Sequence, residues 1–128
     1  MTHASAKLSG LRVLIVEDEA IIAWDMADSL ELCGAEVMGP VGTVKEACAL
    51  LDAGVPDAAV LDINLKNESV YPLVERLKLR RVPFLFASGD SRSELPSEYA
   101  EHAFLAKPFE FDAFMAALAL SICKARAS

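Results

Sequence analysis

The sequence predicts an α/β fold, a doubly wound, five-stranded parallel sheet with helices on both faces. Apolar runs of strand length alternate along the chain with segments of helical period, which is the pattern of βα units. Several of the runs are apolar at consecutive positions, as expected for strands that are covered on both faces. Every run except the second leads into a polar residue, and the carboxyl ends of parallel strands meet at one edge of the sheet.

The first strand and the first helix are distinguished by a change of period. Leu11 to Val16 is nearly all apolar, so we expect this strand at the centre of the sheet. The helix that follows has apolar residues spaced at i, i+3, i+4 and i+7, and Gly34 is typical of a helix end. These apolar residues are Ala23, Met26, Ala27 and Leu30.

The second βα unit is shorter. Glu36 to Met38 forms a short strand, and we expect Gly39-Pro40 to end it. Thr43 is a typical N-cap, and Glu46 three residues later completes a capping box for the second helix. The third strand is expected at Ala58 to Leu61.

The second half of the chain supplies the remaining elements. Pro72 fits the first turn of a third helix, and Phe84 to Ala87 and Ala103 to Ala106 are the fourth and fifth strands. The interval from Asp90 to His102 contains Pro96 and has room only for a shortened fourth helix. The last helix has an apolar stripe of Phe111, Phe114, Met115, Leu118 and Ile122.

Composition favours one domain and argues against several classes of function. The 128 residues are 54% hydrophobic and carry a formal net charge of -7, so we expect a packed core and no binding to nucleic acid. Cys33, Cys48 and Cys123 lack the spacing of a zinc site or a disulfide framework, and we expect buried or inert thiols. Without a signal pattern or an apolar run of membrane length, the sequence predicts a soluble, cytoplasmic protein.

Reactive side chains are concentrated in a few stretches that each follow an apolar run. These stretches are Val16-Glu17-Asp18-Glu19, Leu61-Asp62-Ile63-Asn64, Ala87-Ser88-Gly89 and Lys107-Pro108-Phe109. Carboxylates, a hydroxyl and an ammonium would then converge at one edge of the sheet. Crowded carboxylates repel one another unless a dication such as Mg2+ lies among them, and a lone ammonium beside them suits an anion. The pattern therefore predicts a site for phosphoryl chemistry.

Each motif also has a purely structural interpretation. The acids around Asp18 could stabilise a helix N-terminus, Ser88 could cap the next segment, and Lys107 could be a surface charge. Their joint occurrence at successive strand ends favours a site.

In this order the motifs resemble the receiver domain of two-component response regulators, of the CheY-like type, over essentially the whole chain. The resemblance rests on an acidic pair after the first strand, a lone Asp after the third, Ser before a small residue after the fourth, and Lys-Pro after the fifth. It implies a flavodoxin-like (βα)5 fold with strand order 2-1-3-4-5. It also implies a receiver domain at residues 11–128, after an N-terminal tail at residues 1–10, with no output domain.

The resemblance assigns a role to each matching residue. Asp62 would accept a phosphoryl group from a histidine kinase or a histidine phosphotransfer protein. The implied Mg2+ ligands are Glu17, Asp18, Asp62 and the backbone carbonyl of Asn64. The implied phosphoryl-binding and switch residues are Ser88, Gly89, Phe104 and Lys107. Output would occur through altered contacts with a downstream protein target, without nucleic acid or membrane, by a monomer or weak dimer.

Two segments further resemble the FAT GUY subgroup of standalone regulators, which accompany the general stress response of alphaproteobacteria. They are Leu61-Asp62-Ile63-Asn64-Leu65 and Pro83-Phe84-Leu85-Phe86-Ala87-Ser88-Gly89. The chain differs from the subgroup where Ser88-Gly89-Asp90 replaces Thr-Gly-Tyr. It differs from the wider family where Glu17 replaces the commoner Asp.

Two other classes of function remain open at this point. A haloacid-dehalogenase-like phosphohydrolase also uses a strand-end Asp with Mg2+, but it needs a second Asp where this chain has Asn64. An adaptor that is never phosphorylated would use only its surface. For the receiver interpretation we also expect a kinase contact at the start of the first helix, through Ile22 and Trp24, because this end is more apolar than one buried face requires.

Overall fold

Parallel strands form a sheet in the order β2-β1-β3-β4-β5 in the computed structural model, which describes residues 7–66, 68–89, 95–100 and 102–127. The strands are β1 (Arg12–Val16), β2 (Glu36–Val41), β3 (Ala58–Asp62), β4 (Phe84–Ser88) and β5 (Phe104–Ala106). The predicted fold class and strand order are confirmed, and β1 lies inside the sheet between β2 and β3.

Helices connect successive strands. The α-helices are α1 (Ala20–Leu32), α2 (Val44–Ala53), α3 (Tyr71–Leu79) and α4 (Phe111–Ala127). Between β4 and β5 the described residues contain a single turn of 3-10 helix, Ser97–Tyr99, which agrees with the predicted shortening of a fourth helix. Within the described part of the chain, no helix is long and apolar enough to cross a membrane.

Two hydrophobic cores lie on opposite faces of the sheet. Because successive side chains of a strand point to opposite faces, Leu14 and Val16 pack in the core beneath α2 and α3. Val13 and Ile15 pack in the other core, beneath α1 and α4. Burial on both faces explains why the strand sequence is apolar at consecutive positions.

Local signals set most of the helix boundaries as predicted. The hydroxyl oxygen of Thr43 accepts a hydrogen bond from the Glu46 backbone N–H at 3.1 Å, so Thr43 is the N-cap of α2. Gly34 follows the end of α1 with a φ of +86°, a conformation that favours glycine. Pro72 occupies the first turn of α3.

The prediction that Gly39-Pro40 ends the second strand is wrong. β2 continues to Val41, which pairs with Val16, whereas Met38 pairs with Leu14. The register therefore shifts at Gly39-Pro40, and Gly39 accommodates this irregularity with a φ of +91°. A proline is tolerated here because β2 is an edge strand and its missing N–H interrupts no second ladder.

Two smaller predictions are corrected. Phe111 does not belong to the buried stripe of α4, because Phe109 packs on Phe114, with ring centroids 5.4 Å apart, and covers that end of the helix. Leu8, which was assigned to the N-terminal tail, is fully buried in the core beneath α1 and α4. Of the three cysteines, which were expected to be buried or inert, Cys33 is buried, Cys48 is half-buried and Cys123 is exposed.

Candidate functional site

The carboxyl ends of β1, β3, β4 and β5 bring the predicted site residues to one edge of the sheet. Asp62 pairs with Ala87 across β3 and β4, and Ser88 pairs with Ala106 across β4 and β5. The backbone N–H of Lys107 donates to the Ser88 carbonyl at 2.8 Å, which holds the two strand ends together. Parallel pairing in this register places the polar residues side by side.

Three carboxylates form an acidic cluster at this edge. Glu17, Asp18 and Asp62 each contribute an oxygen, and these oxygens all lie within 4.8 Å of one another. Glu17 and Asp62 are buried, each with only 3% of its surface exposed, whereas Asp18 is half-buried. Oxygen ligands at this density match the preference of hard divalent cations.

Backbone N–H groups orient each carboxylate of the cluster. The Asn64 N–H donates to Asp62 Oδ1 at 2.9 Å, and the Lys66 N–H donates to Asp18 Oδ2 at 2.8 Å. The Glu19 N–H donates to Glu17 Oε2 at 3.1 Å. The loops after β1 and β3 therefore fix the carboxylate positions by local hydrogen bonds.

Lys107 is the cation that the described residues place against this cluster. Its Nζ donates to Glu17 Oε1 and lies 3.5 Å from Asp62 Oδ2, and its side chain is only 11% exposed. The Lys107-Pro108 peptide bond is cis. One ammonium cannot neutralise three ionised carboxylates, so the site retains an excess of negative charge when all of them are ionised.

Burial changes the acidity of Glu17. The pKa of Glu17 is raised from 4.5 to about 7, chiefly by desolvation and to a smaller extent by the negative charge of Asp62. The hydrogen bonds from Lys107 and from the Glu19 backbone act in the opposite direction. Glu17 is therefore partly protonated near neutral pH when no metal ion is bound.

The loop after β3 is linked to the end of β4 by side chains. Asn64 Nδ2 donates to the hydroxyl oxygen of Ser88 at 3.0 Å, and Ser88 is fully buried. Beside it, a Cβ built on Gly89 would meet no atom within 4 Å, so the backbone there is open to the site. Asp90 lies outside the described residues.

A cavity of about 630 Å³ opens beside Asp62. One wall is the start of α1, where Ile21 is 86% exposed and Ile22 is half-buried. The lining residues are Glu19, Ile21, Ile22, Asp25, Asp62, Asn64, Gly89, Lys107, Pro108 and Phe109. Sequence analysis did not single out Asp25, although its i+4 spacing from Ile21 places both on the same side of the helix.

The two residues predicted to contact a kinase lie in different places. Ile22 lines the cavity beside Asp62, but Trp24 lines another groove, between α1 and β2. Two residues along a helix correspond to a rotation of about 200°, which separates their side chains. Trp24 is 70% exposed, so the prediction of an exposed apolar surface on α1 is confirmed, but it is not one surface.

The predicted switch residue Phe104 is half-buried and packs against the core beneath α2 and α3.

His102 belongs to an aromatic cluster, which the sequence analysis missed. Its ring stacks on Phe84 at 4.3 Å, and its Nε2 lies 2.9 Å from the Phe84 carbonyl oxygen. Phe84 and Phe86 alternate on one face of β4, and this alternation is the signal that could have indicated an aromatic surface.

Comparison with known proteins identifies relatives over most of the chain. The model of the response regulator receiver domain matches residues 13–119. The transcriptional regulatory protein PdtaR of Mycobacterium tuberculosis is 29% identical over 119 residues, which are 90% of this chain and 58% of PdtaR. The chain thus spans about half the length of the curated relatives that it matches.

Two solved structures extend the comparison. The response regulator PhyR from Brucella abortus superposes with a TM-score of 0.83 and 27% identity, covering 97% of this chain and 52% of that one. SdrG from Sphingomonas melonis Fr1 superposes with a TM-score of 0.78 and 37% identity, covering 91% of this chain and 98% of SdrG.

Proposed function

This chain belongs to the response regulator receiver domain family, and on that premise we propose that Asp62 accepts a phosphoryl group. The family is a signalling family of two-component systems and not one of metabolic enzymes. The observation that supports Asp62 most directly is its position at the end of β3, buried among two further carboxylates and within 3.5 Å of Lys107 Nζ. The phosphorylated state would then change the contacts of this domain with a downstream protein.

The chain's own residues supply positioning for the transfer. In the proposed reaction, a carboxylate oxygen of Asp62 forms a bond to phosphorus while the phosphorus–nitrogen bond of a phosphohistidine breaks. The bonding electron pair returns to the departing imidazole. The Lys107 ammonium lies on the Asp62 side of the site and would pair with the new phosphoryl oxygens. The Ser88 hydroxyl would exchange its bond with Asn64 for a phosphoryl oxygen.

The acidic cluster fits Mg2+. Three carboxylates within 4.8 Å and a single ammonium leave uncompensated negative charge, and the donor atoms are the oxygens that Mg2+ prefers. Glu17, Asp18, Asp62 and the backbone carbonyl of Asn64 are the proposed ligands. When bound, Mg2+ would neutralise charge on the transferring phosphoryl group.

The proposed phosphodonor is a histidine kinase or a histidine phosphotransfer protein that docks beside Asp62. Ile21 and Ile22 line the cavity there, and exposed apolar side chains at such a site are suited to a partner helix. We place this exchange in the cytoplasm, where the ATP that charges a kinase is available. SdrG is 37% identical to this chain, which covers 98% of it, and we propose FAT GUY membership on the motif resemblance.

One experiment separates the proposed function from the alternatives. The protein is incubated with a small phosphodonor and Mg2+, and intact mass and released phosphate are followed over time. A receiver forms an adduct in the wild type and none in Asp62→Asn. Repeated release of phosphate without an adduct would indicate a phosphohydrolase, and no reaction would indicate an adaptor.

A further inference from the structure

Helix α1 carries a second exposed feature that the proposed function does not use. Trp24, the only tryptophan of the chain, is 70% exposed. It lines a groove of about 580 Å³ between α1 and the edge strand β2. This groove shares no lining residue with the cavity beside Asp62, so it is a separate surface.

Two glycines with positive φ lie along this α1–β2 groove. Gly34 and Gly39 both line it, with φ values of +86° and +91° that favour glycine. A Cβ on Gly34 would come within 2.8 Å of the Ser9 hydroxyl oxygen, and one on Gly39 within 2.8 Å of the Val41 backbone nitrogen. The fold therefore requires glycine at both positions, because neighbouring atoms of the chain itself fill the space that a side chain would need.

The rim of the α1–β2 groove is acidic. Asp28, Glu31 and Glu36 line it, and α1 contains no Lys or Arg. Glu36 is paired with Arg12, whose Nε lies 3.7 Å from Glu36 Oε1. For Asp28 and Glu31, the described residues provide no cation within ion-pair distance. Asp28 and Glu31 follow Trp24 by one and two turns of α1, and an exposed indole beside such a carboxylate suits a cationic side chain, which can stack on the ring and pair with the nearer acid.

We propose that the α1–β2 groove binds a partner protein through a segment that carries Arg or Lys next to apolar residues. The cation would lie over the Trp24 ring within reach of Asp28, and the segment would continue along the groove toward Glu31. Charge complementarity identifies this occupant. A second copy of this chain, with a net charge of -7, or a nucleic acid would bring like charge to an acidic rim. The inference does not depend on phosphorylation of Asp62.

The test uses two synthetic peptides of the same sequence that alternate arginine with leucine and serine, one of them with every arginine replaced by neutral citrulline. Each is titrated into the full chain with Mg2+ at about 0.15 M ionic strength, which screens non-specific attraction. Amide chemical shifts and the fluorescence of Trp24 report binding. The arginine peptide should shift amides of α1 and β2 around Trp24, and the citrulline peptide should not.

Variants of exposed residues then locate the contact. We expect Trp24→Ala to weaken binding about two- to fivefold through loss of the cation–π contact. The double variant Asp28→Asn/Glu31→Gln should weaken it about threefold or more. Leu79→Ala is the matched control, because Leu79 is 85% exposed on α3 and should leave binding unchanged.

Three results would overturn the inference. The first is equal binding of both peptides. The second is a set of shifted amides centred on the cavity beside Asp62 or spread over the surface. The third is absence of binding by the arginine peptide at millimolar concentration. If Trp24→Ala did not fold, as judged from its amide spectrum, unchanged affinity of the Asp28→Asn/Glu31→Gln variant would be enough to reject the proposal.

Discussion

Replacing Asp62 by asparagine should stabilise the metal-free protein, because it removes one of three crowded carboxylate charges. The amide keeps the side-chain shape and an oxygen that can accept the Asn64 N–H, now 2.9 Å from Asp62 Oδ1. The substitution removes the repulsion between Asp62 and the carboxylates of Glu17 and Asp18, whose oxygens lie within 4.8 Å of an Asp62 oxygen. It also loses attraction to Lys107 Nζ at 3.5 Å.

The balance of these charges gives the expected magnitude. At an effective dielectric constant of about 20, each repulsion across at most 4.8 Å costs at least about 3.5 kcal/mol, or about 7 kcal/mol for two. The attraction at 3.5 Å contributes about 4.7 kcal/mol. The difference is about 2 kcal/mol in favour of asparagine, and solvent around half-buried Asp18 reduces it. We therefore expect a gain of about 1–2 kcal/mol in the free energy of unfolding.

Urea denaturation at pH 8 measures this gain, because Glu17 is then mostly ionised. Wild type and Asp62→Asn are compared in EDTA and in saturating Mg2+. The variant should have the higher midpoint in EDTA, and its advantage should shrink or reverse in Mg2+, because a bound cation removes the repulsion. A variant midpoint below that of the wild type in EDTA would refute the argument from charge crowding.

Three further predictions concern single residues. Because the pKa of Glu17 is raised from 4.5 to about 7, the folded protein holds a proton that the unfolded chain releases, so metal-free stability should fall as pH rises from about 4.5 to about 7. Glu17→Gln should flatten this slope in urea titrations, and equal slopes would contradict it. Asn64→Ala should change the lifetime of phosphorylated protein, followed by intact mass, because it removes a polar group that can align water and releases Ser88. If Asn64→Ala and Asp90→Ala both decay at the wild-type rate, these side chains do not govern the lifetime. Ile22→Ala should slow phosphotransfer from the partner kinase but not labelling by a small donor, with Leu79→Ala as the control; equal slowing of both would show that Ile22 acts by supporting the fold.

Much of the site was predictable because its geometry follows from chain order. Polar residues at the ends of parallel strands must meet at one edge, so Glu17, Asp62, Ser88 and Lys107 could be grouped without coordinates. The details of their contacts could not. That Lys107 bonds to Glu17 while lying farther from Asp62 depends on side-chain rotamers, which sequence periodicity does not encode.

Two predictions about local structure are wrong because contacts with other parts of the chain override the local sequence signal. Gly39-Pro40 is a strong local turn signal, but pairing of Val41 with Val16 extends the strand across it. Phe111 fits the helical stripe of α4, yet Phe109 from the preceding loop covers that end of the core. The separation of Trp24 from Ile22 has a different origin. It could have been predicted from the sequence, because each residue of an α-helix is rotated by about 100° from the one before it.

The proposed function depends above all on Asp62 as the acceptor, and the most direct measurement is to identify the modified residue. The protein is treated with a small phosphodonor and Mg2+ and then with borohydride, which reduces an aspartyl phosphate to homoserine and releases phosphate. Peptide mass spectrometry locates the homoserine. We expect homoserine at position 62 only, and only when Mg2+ is present during phosphorylation. Reduction at Asp18 or at another carboxylate, or no reduction under conditions that phosphorylate an established receiver, would contradict it.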